Sequence, residues 1–300
     1  MHHTETTTTF NINLLLKDVA QLTKLRLSFS VVFSSLVGYL LAVDSINSDT
    51  LLLLLFGGFS IVAASNAFNQ WIEKEQDGLM FRTQNRPLPS GRMADSTAFS
   101  IASIFAIVGL FMLYQINTKT AFFAAFSIFV YTCIYTPLKS KTPLTVFVGA
   151  FPGAIPFMLG WVAATNKFGI EPGILFMIQF FWQFPHFWAI GWFLDEDYKR
   201  AGYKMLPSGK TDNSTAFQIV FYTLWTIISS IIPVFGFTGK LSLSYPATGI
   251  LLVMGLFFLY FSLTLMKRKS KAAAKKLIFM SIFYITGLQV IYVIDKYLTL

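Results

Sequence analysis

Long apolar stretches separated by short polar segments run through this sequence, and they limit the folds that are open to it. Each stretch approaches the roughly 20 residues that an α-helix needs to cross the hydrocarbon core of a bilayer. Hydrophobic residues make up 55% of the chain and charged residues only 12%, which is about half the charge of a soluble domain. Because backbone groups inside a bilayer must pair with one another, we predict an all-α polytopic membrane protein of about nine transmembrane helices.

The predicted spans divide the chain into a tail and one domain. Residues 1–26 form the tail, in which Asn11–Arg26 is amphipathic and is expected to lie along the membrane interface. Residues 27–300 form a single transmembrane domain of nine helices. The predicted spans are Leu27–Val43, Thr50–Trp71, Ser96–Tyr114, Thr120–Tyr135, Pro143–Ala164, Pro172–Leu194, Ser214–Phe235, Ala247–Met266 and Leu277–Ile294.

Lysines and arginines are distributed unevenly between the two sides of the predicted domain. If the N-terminal side is cytoplasmic, all of the 23 basic residues except Lys119, Lys167, Lys240 and Lys296 lie on the cytoplasmic side, as the positive-inside rule requires. We therefore predict a cytoplasmic N-terminus and a C-terminus on the opposite side. The loops after spans two, four and six then face the cytoplasm, where their polar residues can converge on a central cavity open to that side.

Composition and the start of the chain narrow the class of protein. The net charge of +9 comes from cytoplasmic loops and does not indicate binding of nucleic acid. The Lys-rich loop 267–276 has no acids, so we interpret it as a topology determinant in contact with anionic lipid. A single cysteine, Cys133, excludes an intramolecular disulfide. The first residues resemble neither a signal peptide nor a mitochondrial transit peptide, which favours a bacterial plasma (inner) membrane.

The segment after the second span carries the most informative polar pattern. Asn69, Glu73 and Asp77 stand four residues apart, so on a helix they share one face. An amide oxygen and two carboxylates on one face form a hard-oxygen surface that suits Mg²⁺. A solvated charged cap at the end of a membrane helix is the alternative interpretation.

Three arginines, Arg82, Arg86 and Arg92, follow this acidic cluster around a proline-containing break. Arginines suit the phosphate groups that a bound Mg²⁺ usually accompanies. The cluster also begins inside an apolar segment, and a second acidic cluster recurs later in the chain. These features favour a metal and phosphate site over a solvated cap.

The second acidic cluster, Asp195, Glu196 and Asp197, ends the sixth span and precedes Lys199 and Arg200. On its own it is typical of a charged helix end. Together with the first cluster, on the same side of the membrane, it could hold a diphosphate through one or more Mg²⁺ ions. The two clusters lie four spans apart, which suggests two related four-helix halves.

His186 is the only histidine outside the extreme N-terminus, and it lies in the sixth span among aromatic residues. An ionisable residue at this depth is costly and marks a functional candidate. Its chemistry is compatible with an iron ligand, a proton acceptor or a hydrogen-bond donor to a ligand. A structural bond to a carbonyl of a neighbouring helix is the alternative. Gln183 shares part of the surroundings of His186.

The loop between the fourth and fifth spans carries Lys139 and Lys141. These lysines suit either contact with phosphate or carboxylate, or anchoring of the loop at lipid headgroups. Gly149, Gly153 and Gly160 follow in the fifth span, where they let another helix or a flat ligand approach the backbone.

Together these regions resemble the intramembrane aromatic prenyltransferase superfamily, and within it the haem O synthases. The superfamily motif Asn-x-x-x-Asp-x-x-x-Asp stands here as Asn69-x-x-x-Glu73-x-x-x-Asp77, with a middle glutamate that the haem branch tolerates. The second Asp-x-x-x-Asp pattern of the superfamily is not intact, and His186 stands near the place of its earlier acid. The other matching stretches are Arg82–Arg92, Tyr135–Lys139, Gly160–Trp161, Trp182–Phe187 and Asp197–Pro207.

The resemblance implies a reaction and a set of site residues. A farnesyl group would pass from farnesyl diphosphate to the vinyl group of haem b, with addition of water, giving haem O and pyrophosphate. The implied Mg²⁺ ligands are Asn69, Glu73, Asp77, Asp195 and Asp197. The implied catalytic residues are Asn69, Glu73, Asp77, Arg82, Arg86, Lys139 and His186. The implied substrate contacts are His186, Gln183, Tyr135, Arg92 and Lys141.

The resemblance also implies partners, and other functions remain to be weighed against it. The expected partners are the lipid bilayer, haem b, farnesyl diphosphate, and a haem A synthase or terminal oxidase assembly. A prenyltransferase for a quinone precursor would share the fold and the diphosphate site, but the His186 motif favours haem. A cation transporter would spread its acids through the membrane depth. A non-catalytic haem-handling protein would not need the acidic cluster.

Overall fold

Helices joined by short loops make up most of the computed structural model, which describes residues 12–299 and has no β-strand among them. Residues 1–11, with His2, His3 and the first part of the predicted tail, lie outside the described residues, as does Leu300. The α-helices are α1 (Ile12–Leu22), α2 (Leu25–Ala42), α3 (Ser48–Ile72), α4 (Lys74–Leu79), α5 (Asp95–Ile116), α6 (Thr118–Phe129), α7 (Thr136–Leu138), α8 (Thr145–Thr165), α9 (Ile170–Phe193), α10 (Asp195–Arg200), α11 (Asn213–Ile231), α12 (Tyr245–Arg268) and α13 (Lys271–Thr299).

The predicted membrane-spanning helices are present close to their predicted bounds. A π-helical turn, Val130–Tyr135, joins α6 to α7, and a 3₁₀ turn, Ile232–Phe235, continues α11, so each of these pairs forms one long segment. Among the described residues, eight helical segments are long and apolar enough to cross a membrane. The fold class predicted from the sequence is therefore confirmed.

The ninth long helix, α9, has 24 residues and corresponds to the predicted sixth span, but it is not among these eight segments. Its interior carries Gln179, Gln183 and His186 among its aromatic residues. It packs against α8, α11 and α13, and these three side chains are buried. The polar residues of α9 thus face protein, which is where a membrane domain tolerates them.

Helix α1 occupies the segment that was predicted to be amphipathic. Ile12, Leu14 and Leu16 are exposed, whereas Asp18 and Leu22 are buried against the domain. A helix with exposed apolar residues next to a membrane domain is typical of an interfacial position. Its location at the membrane interface stays a prediction.

The apolar core falls into two main clusters, and residues of α2 and α8 belong to both. One cluster is centred on α2, α3 and α8. The larger cluster is centred on α9, α11, α12 and α13. The two related four-helix halves that the spacing of the acidic clusters suggested stay a prediction.

Glycines allow α2 and α8 to cross at close range. A Cβ at Gly160 would overlap the carbonyl oxygen of Ser35, and a Cβ at Gly38 would overlap the carbonyl oxygen of Phe157. In lipid, where burial of apolar surface does not drive association, such close backbone contact is a main source of helix–helix attraction. The predicted close approach at Gly160 is thus made by another helix.

Prolines in α8 also link it to its neighbour α6. Pro156 has no backbone N–H, so the carbonyl of Pro152 loses its helical donor. The Ser127 hydroxyl of α6 donates to this carbonyl at 3.3 Å. A side chain of one span thereby satisfies a backbone acceptor of the next, as the absence of water in the membrane requires.

The interpretation of residues 267–276 as a loop is wrong. Helix α12 continues to Arg268 and α13 begins at Lys271, so only Lys269 and Ser270 separate the two helices. Lysine and alanine are good helix formers, and this intrinsic propensity extends both helices beyond the apolar spans. The lysines therefore project from helix ends, and Lys271 forms an ion pair with Glu196 of α10 at 2.7 Å.

We predict that Gly160→Ala destabilises the domain although alanine favours helices. Overpacking of a tight contact costs about 1–3 kcal/mol, and here the clash is with backbone of α2. The apparent melting temperature in detergent, followed by size-exclusion chromatography after heating, measures the effect. Gly173→Ala in α9 is the matched control, since a Cβ at Gly173 meets nothing within 4 Å. Equal stability of the two variants would contradict the crossing argument.

Candidate functional site

Asn69, Glu73 and Asp77 lie where α3 gives way to α4. Helix α3 ends at Ile72, and Glu73 leaves the helical conformation before α4 begins. The backbone hydrogen bonds nevertheless continue, from Glu73 N to Asn69 O (2.9 Å) and from Asp77 N to Glu73 O (2.8 Å). The three residues are 2%, 5% and 1% exposed. Burial makes these carboxylates expensive unless partners balance their charge.

Two basic residues supply that balance. Lys139 Nζ lies 2.7 Å from Glu73 Oε1, and Arg86 Nη1 lies 2.6 Å from Asp77 Oδ2. Burial by itself lowers the pKa of the Lys139 ammonium, but the Glu73 carboxylate outweighs burial and raises it. The structure thus brings together four of the predicted catalytic residues in two buried ion pairs.

Lys24 joins this group, although the sequence reasoning used it only to assign topology. It lies between α1 and α2 with φ 48°, in the left-handed region that residues other than glycine rarely adopt. Its ammonium is 3.5 Å from Asn69 Oδ1. Burial, with repulsion from Arg86 and Lys139, lowers the pKa of Lys24 to about 7. The sequence around Lys24 does not predict this contact, because Asn69 lies 45 residues further along the chain and meets Lys24 only in the folded structure.

The π-helical turn Val130–Tyr135 places the next part of the site. Such turns are rare and concentrate at functional positions. The Lys139 ammonium lies over the Tyr135 ring, 4.7 Å from its centre, in cation–π geometry. Thr136 Oγ1 accepts a hydrogen bond from Asn69 Nδ2 at 3.1 Å. A Cβ at Gly149 would lie 2.6 Å from the Tyr135 ring, so this glycine makes room for an aromatic side chain.

Tyr203 is a second residue that the sequence reasoning missed. It follows α10, and its ring centre lies 5.7 Å from the Lys139 ammonium. Its hydroxyl is buried and has no hydrogen-bond partner among the described residues. Burial and the negative charge of Glu73 raise the pKa of the Tyr203 hydroxyl. The Tyr203 hydroxyl thus lies beside the Glu73 carboxylate without a well-formed hydrogen bond to it.

Asp195 and Asp197 of the second acidic cluster form ion pairs with basic residues of the same helix, α10. Asp195 lies 2.6 Å from Lys199, and Asp197 lies 3.4 Å from Arg200. Asp197 also accepts a long hydrogen bond, 3.4 Å, from the backbone N–H of Phe81 in the loop that follows α4. The Arg200 guanidinium lies 3.8 Å from the centre of the Phe81 ring. Asp197 is thus the acid of this cluster that contacts the loop of the first cluster.

The predicted Mg²⁺ ligands are not assembled around one point in the structure. Within residues 12–299 no group of three or more Asp, Glu, His or Cys side chains is placed to hold a metal ion. Each predicted carboxylate ligand instead contacts a lysine or an arginine. The ligand set of Asn69, Glu73, Asp77, Asp195 and Asp197 stays a prediction.

Arg92 was predicted to contact substrate, but its guanidinium donates hydrogen bonds to residues of the protein. Its guanidinium donates to Asp18 of α1 at 3.0 and 3.1 Å, and also reaches Gln21, Asn85 and Ser90. Asp18 is almost fully buried. This arrangement supports a structural role, in which Arg92 fastens α1 to the loop after α4.

The two remaining basic candidates are exposed. Arg82 lies close enough to Tyr198 for its charge to act on the pKa of that hydroxyl, which burial raises overall. Lys141 is exposed at the loop after α7, and its carbonyl accepts a hydrogen bond from Lys204 Nζ at 3.2 Å. The structure places neither side chain against the buried ion pairs.

His186 and Gln183 form a separate polar group inside α9. His186 precedes the end of α9 by seven residues, which places it about 10 Å along the helix axis from that end. Gln183 Nε2 donates to the carbonyl of Ala150 in α8 at 2.9 Å, and a Cβ at Gly153 would overlap its amide. Nδ1 of His186 lies 2.8 Å from Ser281 Oγ in α13. The His186 ring stacks on Trp182, with ring centres 4.6 Å apart.

We predict that Arg92→Gln destabilises the protein, because it leaves the Asp18 carboxylate buried without its bidentate partner. A buried polar group without a partner costs about 1–3 kcal/mol. Thermal unfolding in detergent measures the loss, and limited proteolysis should show release of α1. Arg82→Gln is the control, since this side chain is exposed. A fully stable Arg92→Gln variant with weakened substrate binding would instead favour the predicted contact with substrate.

Comparison with known proteins identifies relatives along almost the whole chain. The pattern of the UbiA prenyltransferase family matches residues 31–283. A protoheme IX farnesyltransferase of Christiangramia forsetii is 61% identical over 285 residues, which are 95% of each chain. A protoheme IX farnesyltransferase of Flavobacterium psychrophilum is 59% identical, over 96% of this chain and 97% of the relative.

Solved structures share the fold at much lower identity. A digeranylgeranylglyceryl phosphate synthase superposes with a TM-score of 0.77 at 21% identity, over 94% of this chain and 98% of the other. A UbiA homolog from Archaeoglobus fulgidus, solved with DMAPP and Mg²⁺, superposes with a TM-score of 0.65 at 13% identity, over 92% and 99%.

Proposed function

Because this chain belongs to the UbiA prenyltransferase family, we propose that it transfers a farnesyl group from farnesyl diphosphate to the vinyl group of haem b. Water adds in the same reaction, which gives haem O and pyrophosphate. The observation that carries the choice of substrates is the 61% identity, over 95% of the chain, to a protein named protoheme IX farnesyltransferase. The buried ion pairs of Glu73 and Asp77 supply the chemistry that such a transfer needs.

The proposed cofactor is Mg²⁺, and the oxygen donors around Glu73 fit it. The amide oxygen of Asn69 and the carboxylates of Glu73 and Asp77 are hard ligands of the kind that Mg²⁺ prefers, and Asp195 and Asp197 are the proposed second set. Bound there, Mg²⁺ would neutralise charge on the diphosphate. The UbiA homolog solved with DMAPP and Mg²⁺ has the same fold, which supports this choice.

The basic residues of the site are proposed to receive the leaving group. Lys139 and Arg86 now balance buried carboxylates. When a cation takes over that balance, their charges become available to oxygen atoms of the diphosphate. Cations placed in advance where negative charge accumulates lower the barrier to departure of pyrophosphate. The raised pKa of Lys139 keeps its ammonium protonated at neutral pH. Arg82, whose side chain is exposed, is proposed as a further contact of the diphosphate.

The prenyl acceptor is proposed to lie deeper than the diphosphate. His186, about 10 Å along the helix axis from the end of α9, is the proposed haem contact, with Gln183 beside it. Tyr135, beside Lys139, is proposed as a further substrate contact, whereas Arg92 is directed to Asp18 and Lys141 is exposed. The apolar interior of the helix domain keeps water from the farnesyl cation before the vinyl group reacts, and aromatic faces can stabilise its charge.

The proposed location is the bacterial plasma (inner) membrane, with the N-terminus in the cytoplasm and the C-terminus on the opposite side. The asymmetry of lysines and arginines supports this orientation. The acidic clusters then face the cytoplasm. A haem A synthase or a terminal oxidase assembly is the proposed recipient of haem O.

Haem analysis by liquid chromatography and mass spectrometry tests the function. Membranes that overproduce the chain should accumulate haem O, and membranes with Asp77→Asn should show at least a 100-fold smaller rate, the order of loss when one electrostatic contact in a transition state is removed. Thermal unfolding of Asp77→Asn controls for misfolding. Absence of haem O, with haem b and farnesyl diphosphate shown to be present, would direct the search to other prenyl acceptors.

Metal dependence gives a separate prediction. Removal of divalent cations from purified protein by a chelator should abolish haem O formation, and added Mg²⁺ should restore it, because the carboxylates cannot hold diphosphate without a cation. Ca²⁺, which prefers longer bonds and more ligands, should restore less. Full activity in excess chelator would exclude the proposed role of Mg²⁺.

A further inference from the structure

Two ring nitrogens of α9 converge on one residue of α13. Trp182 Nε1 donates to the Ser281 carbonyl oxygen at 2.6 Å, and His186 Nδ1 lies 2.8 Å from the Ser281 hydroxyl. The indole and imidazole rings are one helical turn apart and stack at an interplanar angle of 17°. Ser281 itself is fully buried. The plane of the imidazole is thereby fixed from two sides.

The hydroxyl of Ser281 lies between Nδ1 of His186 and a backbone carbonyl. Ser281 Oγ is 2.7 Å from the carbonyl oxygen of Ile278, which can only accept a hydrogen bond. When the single hydroxyl hydrogen is donated to Ile278, the oxygen presents a lone pair to Nδ1. A neutral imidazole can satisfy this lone pair only as the Nδ1–H tautomer.

The remaining nitrogen, Nε2, then carries an unshared electron pair. Among the described residues no hydrogen-bond partner meets Nε2, and no carboxylate pairs with the ring. An unbalanced imidazolium inside a membrane span is costly, which keeps the ring neutral. In this arrangement the Nδ1–H tautomer leaves Nε2 as an acceptor or a ligand, and donation of a hydrogen bond from Nε2 is the role that it lacks.

We propose that Ser281 is a positioning residue that holds His186 as the Nδ1–H tautomer, so that Nε2 offers its electron pair to the prenyl acceptor as a ligand of the haem iron. The first part concerns only the protein. The second part rests on the proposed function. Ligating histidines usually donate their other N–H to an acceptor that fixes tautomer and orientation, and loss of that acceptor typically costs about 10- to 100-fold in affinity or activity.

Ring ¹⁵N spectroscopy tests the first part without any substrate. In a His2→Gln, His3→Gln background, His186 is the only histidine of the chain. Labelled protein should show a protonated Nδ1 and an unprotonated Nε2. Ser281→Ala should add or substitute the Nε2–H tautomer, and Ser281→Thr should restore the original one. An Nε2–H tautomer in the parent protein, or a Ser281→Ala spectrum unchanged from it, would overturn the proposal.

The Ser281→Ala variant removes the contact with His186 but keeps the contact with Trp182. Ser281→Ala retains the carbonyl that accepts from Trp182, so the helices stay joined. The matched control is Ser262→Ala in α12, also a buried serine, whose hydroxyl donates to Phe258 and contacts Thr223. The control should leave the spectrum of His186 unchanged. A shift in the control equal to that of Ser281→Ala would mean general loosening and would also overturn the proposal.

Haem binding and turnover test the second part. With ferric haem b, the optical spectrum of the parent protein should show imidazole ligation that His186→Ala removes and Ser281→Ala weakens. Haem O formation should fall about 10- to 100-fold in Ser281→Ala and recover in Ser281→Thr. Identical haem spectra of parent and His186→Ala would overturn the iron contact and leave the tautomer result standing. No haem O from the parent protein would instead reject the proposed function.

Discussion

Two carboxylates, Glu73 and Asp77, are almost fully buried at the point where a membrane helix ends, and their charges must be balanced there. The balance comes from Lys139 and Arg86, which belong to two different loops. Ion pairs of this kind add little net stability, but loss of one partner is severe. The pairs thus fix where the two loops lie relative to the end of α3.

Hydropathy was enough to predict the helical fold, and residue spacing identified the candidate residues Glu73 and Asp77, which the structure pairs with Lys139 and Arg86. The spans follow from chain lengths that match a bilayer, and the spacing of Asn69, Glu73 and Asp77 keeps them together despite the break at Glu73. Lys24 and Tyr203 could not be predicted, because each joins the site through contacts across the fold. The same holds for Arg92, whose partner Asp18 lies in a helix that precedes the membrane domain.

The misassigned lysine-rich segment has a related cause. Span prediction responds to apolarity, whereas helix length also depends on intrinsic propensity and on tertiary contacts. In residues 267–276 lysines and alanines extend both helices, and the ion pair of Lys271 with Glu196 holds the start of α13 next to α10. A segment can therefore be charged, exposed and helical at once. A prediction that assigns every polar segment to a loop misses such helix ends.

Helix α9 carries polar side chains within its span and leads into the second acidic cluster. Gln183 and His186 lie inside the helix, and α10, which contains the acids, begins two residues after its end. Each of these polar side chains is satisfied by a neighbouring helix, at Ala150 in α8 and at Ser281 in α13. Because polar groups in lipid must be paired, placing them in α9 requires that this helix be enclosed by its neighbours. Helix α9 is accordingly packed against α8, α11 and α13 along its length.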